Sequence, residues 1–355
     1  MTDLPLNWII QQIAGSLGDK SAKFLWCTDE NALDLLPPAW HKEQLLLLTN
    51  RWDVAEQAQE SGFQTEFNDF DCSAIASNSL DGVFYRASKE KPVVHHLLNQ
   101  AWRCLKPGAQ LLIAGYKNEG TKTYIEKISN LFGYVKNIEK NGPVYSSRIT
   151  KLTEYNPAQL LDDSDYPQQR PIAVDSGFKL HSKPGVFGWN KVDAGSALLI
   201  EQLKQSAPSL GQMNSCLDLG CGYGYLTIAA STLDSCKGIS HWTMTDNNAA
   251  ALELARRNLH DNQLTGTVIP ADAGKGLAVK ADLILCNPPF HQGFGLDGDL
   301  TDKFLASAKR LLAPAGAAFF VVNQFIPLER KATQLFSQVK LLTDNGSFKV
   351  IQLKH

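Results

Sequence analysis

The chain has 355 residues, of which 44% are apolar and 20% are charged, and its formal net charge is −2. This length predicts two domains of ordinary size, and this composition is typical of a globular protein rather than a disordered one. The small negative charge argues against a protein that coats nucleic acid nonspecifically, because such proteins usually carry a large positive excess.

The N-terminal part of the chain predicts an α/β domain with helices on both faces of a sheet. Two continuous apolar runs, at 22–27 and 44–49, have the pattern of strands that are buried on both faces. The first run continues as Thr28-Asp-Glu-Asn-Ala-Leu, which contains no glycine. A loop that binds a nucleotide-like ligand needs glycines at this point, so the sequence predicts no such loop in the first half.

A repeat of long period relates the two halves of the chain. Asp81 and Asp282 each lie at the start of an apolar strand that is followed by a helix, a Pro/Gly turn and a second strand. These aspartates correspond at an offset of 201 residues, and the turn residues Pro107 and Pro314 correspond at an offset of 207. The ordered pair of matches indicates a duplicated α/β domain.

The segment between the two halves predicts a linker. The predicted organisation is a first domain at 1–145, a linker at 146–185 and a second domain at 186–355. The linker is rich in Asp, Ser, Gln and Pro at 162–171, and its patterns at 148–155 and 177–181 predict two strands. Beyond it, Asp193 is a suitable N-cap for a helix that starts Ala-Gly-Ser-Ala-Leu.

A strand, a glycine-rich turn and a helix follow in the second domain. The turn reads Asp218-Leu-Gly220-Cys-Gly222-Tyr-Gly224, which differs from the Gly-x-Gly-x-x-Gly spacing of dinucleotide-binding proteins. Asp218 lies two residues before the first glycine, which suits a ligand whose nearest part is a cationic amino group rather than a pyrophosphate. Cys221 has no basic neighbour in sequence, so we interpret it as a packing residue and not as a nucleophile.

Each of the next two strands ends in an acidic residue, in the pairs Asp246-Asn247 and Asp272-Ala273. Ligands bind beyond the carboxyl ends of parallel strands, so these residues and the glycine turn are expected to converge on one crevice. A carboxylate after the second strand suits a ribose diol. Asp272, after the third strand, suits an adenine amino group.

The fourth strand ends in Asn287-Pro-Pro-Phe290. The side-chain carbonyl of Asn287 and the backbone carbonyl of Pro288 can each accept one hydrogen of a planar NH2 group, and the two prolines restrict the backbone there. Phe290 offers a face on which a planar base or amide can stack. These residues predict a site that holds a planar NH2 group, which is an amine-methylating site if the chain also supplies a methyl donor. Arg86 at the aligned position predicts that the first domain lacks this chemistry.

Together these motifs resemble the class I S-adenosylmethionine-dependent methyltransferases. The resemblance implies that Gly220, Gly222 and Gly224 line the methionine part of the donor and that Asp218 helps to hold its amino group. It also implies that Asp246 holds the ribose hydroxyls and Asp272 the adenine. The other residues implied to contact the donor are Asn247, Ala273 and Asn287, and those implied to act on the substrate are Asn287, Pro288 and Phe290.

Over essentially its whole length the chain resembles the RsmC-type family, which methylates a guanine N2 in small-subunit ribosomal RNA. The resemblance rests on Phe-Lys-Leu-His-Ser-Lys-Pro-Gly-Val-Phe at 178–187, on Asp193-x-Gly-Ser, on the glycine turn and on Asn-Pro-Pro-Phe-His-Gln-Gly. It implies two tandem Rossmann-like class I methyltransferase domains, the N-terminal one degenerate. It also implies S-adenosyl-L-methionine as donor, and small-subunit ribosomal RNA or the assembled subunit as partner.

The motifs alone leave other functions open. They suit adenine-N6 or protein-glutamine methylation equally well, and a non-catalytic RNA-binding factor for ribosome assembly is an alternative of another class. We expect the first domain to recognise RNA or to stabilise the second. The candidate basic residues for binding a polyanion are Arg86, Lys89, Lys91, Arg103, Lys106, Arg256, Arg257, Lys303, Lys309 and Arg310.

The seven cysteines are odd in number, scattered along the chain and never spaced Cys-x-x-Cys. This distribution argues against a disulfide framework and against a zinc site, so we expect no metal. The sequence contains no run of about 18 apolar residues, and its N-terminus lacks the pattern of a signal peptide. We therefore expect no membrane span and a location in the reducing cytoplasm.

Overall fold

The computed structural model describes residues 3–33, 36, 42–135, 137–174, 177–206, 210–289, 291–292, 295–296 and 298–355. The chain forms two compact units, Met1–Gln168 and Gln169–His355. The boundary between the units falls inside the segment 146–185 that the sequence predicts as a linker, so each unit contains part of that segment.

The first unit is an α/β sandwich around one seven-stranded sheet. Its elements in chain order are α1 (Leu4–Ser16), β1 (Phe24–Thr28), β2 (Leu45–Thr49), α2 (Trp52–Glu60), β3 (Gln64–Phe67), β4 (Leu80–Arg86), α3 (Lys91–Cys104), β5 (Leu105–Tyr116), α4 (Thr121–Phe132), β6 (Glu139–Asn141) and β7 (Val144–Thr150). The strand order is β3-β2-β1-β4-β5-β7-β6. Strand β7 covers only the beginning of the strand predicted at 148–155.

The second unit contains a second seven-stranded sheet and two short antiparallel sheets of two strands each. Its elements are β8 (Arg170–Pro171), β9 (His181–Ser182), α5 (Ala194–Ser206), β10 (Ser215–Leu219), α6 (Tyr225–Ser231), β11 (His241–Asp246), α7 (Ala249–Asp261), β12 (Gly266–Pro270), β13 (Ala281–Cys286), β14 (His291–Gln292), β15 (Gly295–Leu296), α8 (Gly298–Leu311), β16 (Leu312–Asn323), α9 (Leu328–Ala332), β17 (Gln338–Asp344) and β18 (Phe348–Lys354). The strand order of its large sheet is β12-β11-β10-β13-β16-β18-β17.

The two large sheets have the same topology. In each, five strands are parallel, and the two strands at one edge are antiparallel to their neighbours. The sixth and seventh strands in chain order exchange places in both sheets, which makes the last strand the inner one. This arrangement confirms the predicted fold class of two tandem Rossmann-like α/β domains.

The duplication extends to an irregularity in the pairing. The register of β4 with β5 shifts at Asp81, and the register of β13 with β16 shifts at Asp282. The Asp81 carboxylate accepts a hydrogen bond from the backbone N–H of Lys23 at 2.9 Å. The Asp282 carboxylate accepts from the backbone N–H groups of Asn214 and Ser215 at 2.9 and 3.1 Å. The aspartate aligned by the repeat thus holds the start of the neighbouring central strand in both units.

The continuous apolar runs in the central strands arise because both faces of each sheet are buried. In β10, Leu217 and Leu219 pack into one hydrophobic cluster and Cys216 packs into another. Leu25 and Trp26 of β1 likewise belong to different clusters. Because neighbouring strand residues point to opposite faces, a sheet with two covered faces needs apolar side chains at every position.

Of the strand predicted at 177–181, only His181 lies in a strand, β9, and the backbone of the segment also pairs with side chains of α7 and of its C-cap residue Asn262. Asn262 accepts from the Lys179 N–H at 3.0 Å and donates to its carbonyl at 2.7 Å. Asn258 makes the same pair of bonds to His181, at 2.8 and 2.9 Å. Two asparagines one helical turn apart therefore bond one edge of this segment, while on its other edge the Leu180 carbonyl accepts from the Ile172 N–H at 2.8 Å.

In the described ranges, no helix combines the length and apolarity needed to span a bilayer.

Candidate functional site

The glycine turn connects β10 to α6, and all three of its glycines have positive φ angles. A Cβ atom at Gly220 would lie 2.9 Å from the Phe304 ring, and one at Gly224 would collide with the Met244 side chain. A Cβ atom at Gly222 would meet nothing within 4 Å. Packing therefore requires two of these glycines, whereas Gly222 faces open space at the carboxyl edge of the sheet.

Asp246 links the glycine turn to the next strand end. One oxygen of its carboxylate accepts from the Gly222 N–H at 2.8 Å, and the other accepts from the Asn248 N–H at 2.9 Å. Asn248 is the N-cap of α7, and Asn247 is buried between these two residues. Each carboxylate oxygen has a second lone pair. Asp246 can therefore make these two hydrogen bonds and still accept hydrogen bonds from two hydroxyl groups.

Asp218 is fully buried near the end of β10. Its Oδ2 atom accepts from the backbone N–H and the hydroxyl of Thr227 in α6, at 3.1 and 2.8 Å. Among the described residues, none donates a hydrogen bond to its Oδ1 atom. Burial raises the pKa of Asp218 to about 7, and the hydrogen bonds from Thr227 oppose that rise. A buried carboxylate with an unpartnered oxygen favours a cationic group as its partner.

Asp272 and Ala273 follow β12 at the same edge. The backbone joins them to Asp246, because the Ala271 N–H donates to the Asp246 carbonyl at 3.0 Å. The Asp272 carboxylate lies 3.5 Å from the ammonium of Lys303 in α8. Ala273 is buried and adopts a positive φ of 45°, which turns the chain away from the strand.

Asn287 follows β13 and is held by the beginning of α5. Its Nδ2 group donates to the carboxylate of Asp193 at 3.0 Å and to the hydroxyl of Ser196 at 2.8 Å. The register of β10 with β13 pairs Asp218 with Leu285, so the residues that follow both strands lie at one edge. Among the other predicted substrate residues, Pro288 is buried and Phe290 lies outside the described residues.

The structure brings the predicted donor residues together around three strand ends. The Gly220 and Cys221 N–H groups both donate to the Thr245 carbonyl at 2.9 Å, which ties the turn to the end of β11. Cys221 is buried, and burial raises the pKa of its thiol well above the ordinary value. A neutral thiol is a poor nucleophile, which agrees with its interpretation as a packing residue.

Several of the candidate basic residues have structural partners within their own unit. Arg103 donates to the carbonyls of Ile75 and Cys72, at 2.8 and 2.6 Å. Arg310 donates to the Gly274 carbonyl at 2.7 Å. These contacts assign the two arginines to loop stabilisation rather than to binding a polyanion.

Arg86 is also unsuited to binding a polyanion, because it is buried with only 2% of its side chain exposed. Its guanidinium forms ion pairs at 2.7 Å with Asp3 and with Glu119. It also lies over the ring of Tyr116. In the first unit, a closed ion cluster therefore occupies the place where the second unit has Asn287.

Four residues of the site have contacts that the sequence did not indicate. Asp193 was recognisable as an N-cap, but its contact with a residue 94 positions away was not. Ser196 and Thr227 carry no sequence signal for their contacts with Asn287 and Asp218. Asn258 donates to the Tyr223 carbonyl inside the glycine turn at 2.7 Å, so it joins that turn to the segment that includes His181.

Comparison with known proteins identifies similar chains. Residues 177–352 match the family described as methyltransferase small domain. The ribosomal RNA small subunit methyltransferase C of Pasteurella multocida is 31% identical over 288 residues, which are 80% of this chain and 83% of that protein. The enzyme of the same name from Mannheimia succiniciproducens is 30% identical over 282 residues, covering 79% of this chain and 80% of that protein.

A solved structure resembles the fold of the whole chain. It is that of the T. thermophilus 16S rRNA methyltransferase RsmC, described as acting on N2 of guanine 1207 and bound to AdoMet and guanosine. The TM-score is 0.77 at 25% sequence identity, and the match covers 94% of this chain and 88% of that one.

Proposed function

The chain belongs to the ribosomal RNA small subunit methyltransferase C family, and on this premise we propose that it methylates the N2 amine of a guanine in 16S ribosomal RNA. The methyl donor is S-adenosyl-L-methionine. The observation that carries the proposal is Asn287 at the end of β13, with its amide nitrogen held by α5. Asn287 lies at the same sheet edge as the glycine turn, in which the Gly222 N–H donates a hydrogen bond to the Asp246 carboxylate.

The residues present fit this donor. The open space beside Gly222 accommodates a ligand close to the backbone, and the unpartnered Asp218 oxygen suits an ammonium group. We propose that Asp246, with Asn247, holds the ribose and that Asp272, with Ala273, holds the adenine. When bound, the donor supplies an electrophilic methyl group on a sulfonium sulfur.

The chain's own contribution to the chemistry is to bind and orient the amine. The lone pair of an exocyclic guanine nitrogen is conjugated with the ring and is a weak nucleophile. The Asn287 Oδ1 atom and the Pro288 carbonyl each accept one amine hydrogen, which polarises the NH2 group and directs its lone pair. The nitrogen becomes cationic and acidic on methylation, so its proton passes to solvent water without a dedicated base. A base must leave its stack to reach such a pocket.

The first unit takes no part in donor binding in this proposal. Its first strand leads into Asp29 and a single 3-10 turn instead of a glycine turn, and Arg86 fills the position of Asn287. We propose that this unit recognises RNA or stabilises the second unit. The proposed partner is small-subunit ribosomal RNA or the assembled small subunit, and the proposed location is the cytoplasm, where that substrate is found.

A labelled-donor assay tests the function. The protein is incubated with donor carrying a labelled methyl group and with protein-free 16S RNA, assembled small subunits or intact ribosomes, and the RNA is digested to nucleosides. We expect the label in N2-methylguanosine. Label in N6-methyladenosine or in protein would establish one of the alternative amine substrates, and no label with any substrate would favour a non-catalytic assembly factor.

A variant tests the role of Asn287. We expect Asn287→Ala to reduce turnover by about 100-fold or more, the usual cost of removing one preorganised polar contact to the reacting group. Its affinity for S-adenosylhomocysteine should stay within a few-fold of the wild type. Asn118→Ala, at an exposed asparagine after β5 in the first unit, is the matched control and should keep full turnover.

A further inference from the structure

The amide of Asn287 is oriented by two acceptors on one helix end. Its Nδ2 group donates to Asp193 Oδ2 at 3.0 Å and to Ser196 Oγ at 2.8 Å. An ionised carboxylate can only accept hydrogen bonds, so the amide nitrogen and not the amide oxygen must face Asp193. Both N–H groups are then used, and Oδ1 is directed away from α5.

Asp193 is itself fixed in position. Its Oδ2 atom also accepts from the Ser196 backbone N–H at 2.8 Å, which is the hydrogen bond of a helix N-cap. Ser196 is 8% exposed, so this contact is shielded from water. A negative charge beside the amide nitrogen polarises the amide and makes its oxygen a stronger acceptor.

The first unit contains an equivalent contact between a helix N-cap and the end of a strand, but there it is an ion pair. Asp3 is the N-cap of α1, and its carboxylate accepts from the Leu6 N–H at 2.7 Å. The same carboxylate pairs with Arg86, the last residue of β4, at 2.7 Å. In both units, the helix before the first central strand thus begins with an aspartate that contacts the residue at the end of the fourth strand. Capping alone does not require this second contact.

We propose that Asp193, with Ser196, is a positioning residue for methyl transfer: it holds the Asn287 amide so that Oδ1 faces the substrate amine. This proposal rests on the function proposed above for Asn287. In this role Asp193 acts through Asn287 and needs no contact with the donor or with the substrate amine. Its loss therefore lowers the rate of transfer and leaves the affinity for the donor unchanged.

Asp193→Ser separates the two roles of this residue. Serine is as good an N-cap as aspartate, so the helix end is preserved, but its shorter side chain cannot reach Asn287. We expect kcat to fall about 10- to 100-fold, because a reacting group displaced by about an ångström costs up to 100-fold. The affinity for S-adenosylhomocysteine and the melting temperature should match the wild type. Asp193→Asn keeps the reach without the charge and should restore part of kcat.

A double-mutant cycle shows whether the effect passes through Asn287. In the Asn287→Ala background, measured in single turnover with labelled donor, adding Asp193→Ser should cause no further loss. Asp3→Ser makes the same cap substitution in the first unit and is the matched control. It removes one partner of a buried arginine, so it should lower stability while kcat stays unchanged.

Two outcomes would overturn the proposal: wild-type kcat in Asp193→Ser, or an equal loss of rate when Asp193→Ser is added to Asn287→Ala. Should Asp193→Ser fold poorly, Asp193→Asn and its own cycle with Asn287→Ala provide the same comparison. Failure of the proposed function has a different signature, because wild-type protein would then put no label into N2-methylguanosine. The cycle can still be measured on whichever amine accepts the label.

Discussion

Binding of the donor should be coupled to ionisation of Asp218. This carboxylate is fully buried, its Oδ1 atom lies in the described structure without a hydrogen-bond partner, and burial raises its pKa to about 7. In the ligand-free protein at about pH 5, roughly 99% of the molecules therefore carry a neutral Asp218. An ammonium group beside Oδ1 stabilises the ionised form, so binding below pH 7 must release a proton.

The size of the expected change in affinity follows from the fraction of Asp218 that is ionised at each pH. If the complex keeps Asp218 ionised, the affinity for S-adenosylhomocysteine should increase about tenfold for each unit by which the pH is raised toward about 7. Above about pH 7 the affinity should level off. Between about pH 5 and pH 7.5 the wild type should gain about 50- to 100-fold in affinity. Asp218→Asn cannot ionise, so its affinity should be weak and nearly independent of pH.

The assay is titration calorimetry in pairs of buffers with different enthalpies of ionisation. At about pH 6, the wild type should release about 0.9 proton for each ligand bound, and Asp218→Asn should release none. A wild-type affinity that does not change between pH 5 and pH 7, with no proton released, would refute the assignment of Asp218 to the donor's amino group.

The same raised pKa predicts the direction of a stability change. The folded state binds the Asp218 proton more tightly than the unfolded state, in which the pKa is about 3.8, so stability is lost as the pH rises from about 4 to 7. The difference between the two pKa values corresponds to at most about 4 kcal/mol. Urea unfolding without ligand should therefore show the stability of the wild type falling, relative to Asp218→Asn, by about 3 kcal/mol between about pH 5 and pH 8.

Three further predictions concern other residues of the two units. Gly222→Ala should cost about 1–2 kcal/mol of unfolding free energy because of its positive φ, and it should weaken the binding of S-adenosylhomocysteine. Gly211 also has a positive φ and open space around it, so Gly211→Ala is the control and should lower only the stability. Thr227→Val removes a hydrogen bond that lowers the pKa of Asp218, so the pH midpoint of ligand affinity should move upward in calorimetry. Arg86→Met leaves two carboxylates without their cation and should reduce stability to urea by about 3–5 kcal/mol, with unchanged ligand affinity.

The parts of the site that could be predicted from sequence are those encoded by local pattern. The glycines with positive φ and the acids at strand ends are recognisable because each follows a short apolar strand. Asp246 and Asn287 lie at strand ends as predicted, at the carboxyl ends of the parallel strands of one sheet. The aspartates of the repeat, Asp81 and Asp282, also have equivalent positions, because their role depends only on the start of the neighbouring strand.

The parts that could not be predicted depend on contacts between distant segments. The contact of Asp193 with Asn287 spans 94 residues, and no local pattern records it. Most of the strand predicted at 177–181 was wrong, because only His181 lies in a strand. Asparagine side chains of α7 and its C-cap bond the backbone of Lys179 and His181, and a strand pattern does not reveal such partners. Arg103 and Arg310 were candidates for binding a polyanion, but carbonyl groups from neighbouring loops take up their hydrogen bonds.

The ion cluster around Arg86 restricts how the first unit can evolve. In the first unit, a buried guanidinium with two carboxylates occupies the position that Asn287 has in the second unit. Replacing Arg86 by asparagine alone would not restore a methylation site, since the carboxylates of Asp3 and Glu119 would be left buried beside a neutral group, at a cost of several kcal/mol. Such a site would also need changes at both carboxylates and a glycine turn after β1. Single substitutions therefore cannot exchange this ion cluster for an asparagine site without a loss of stability.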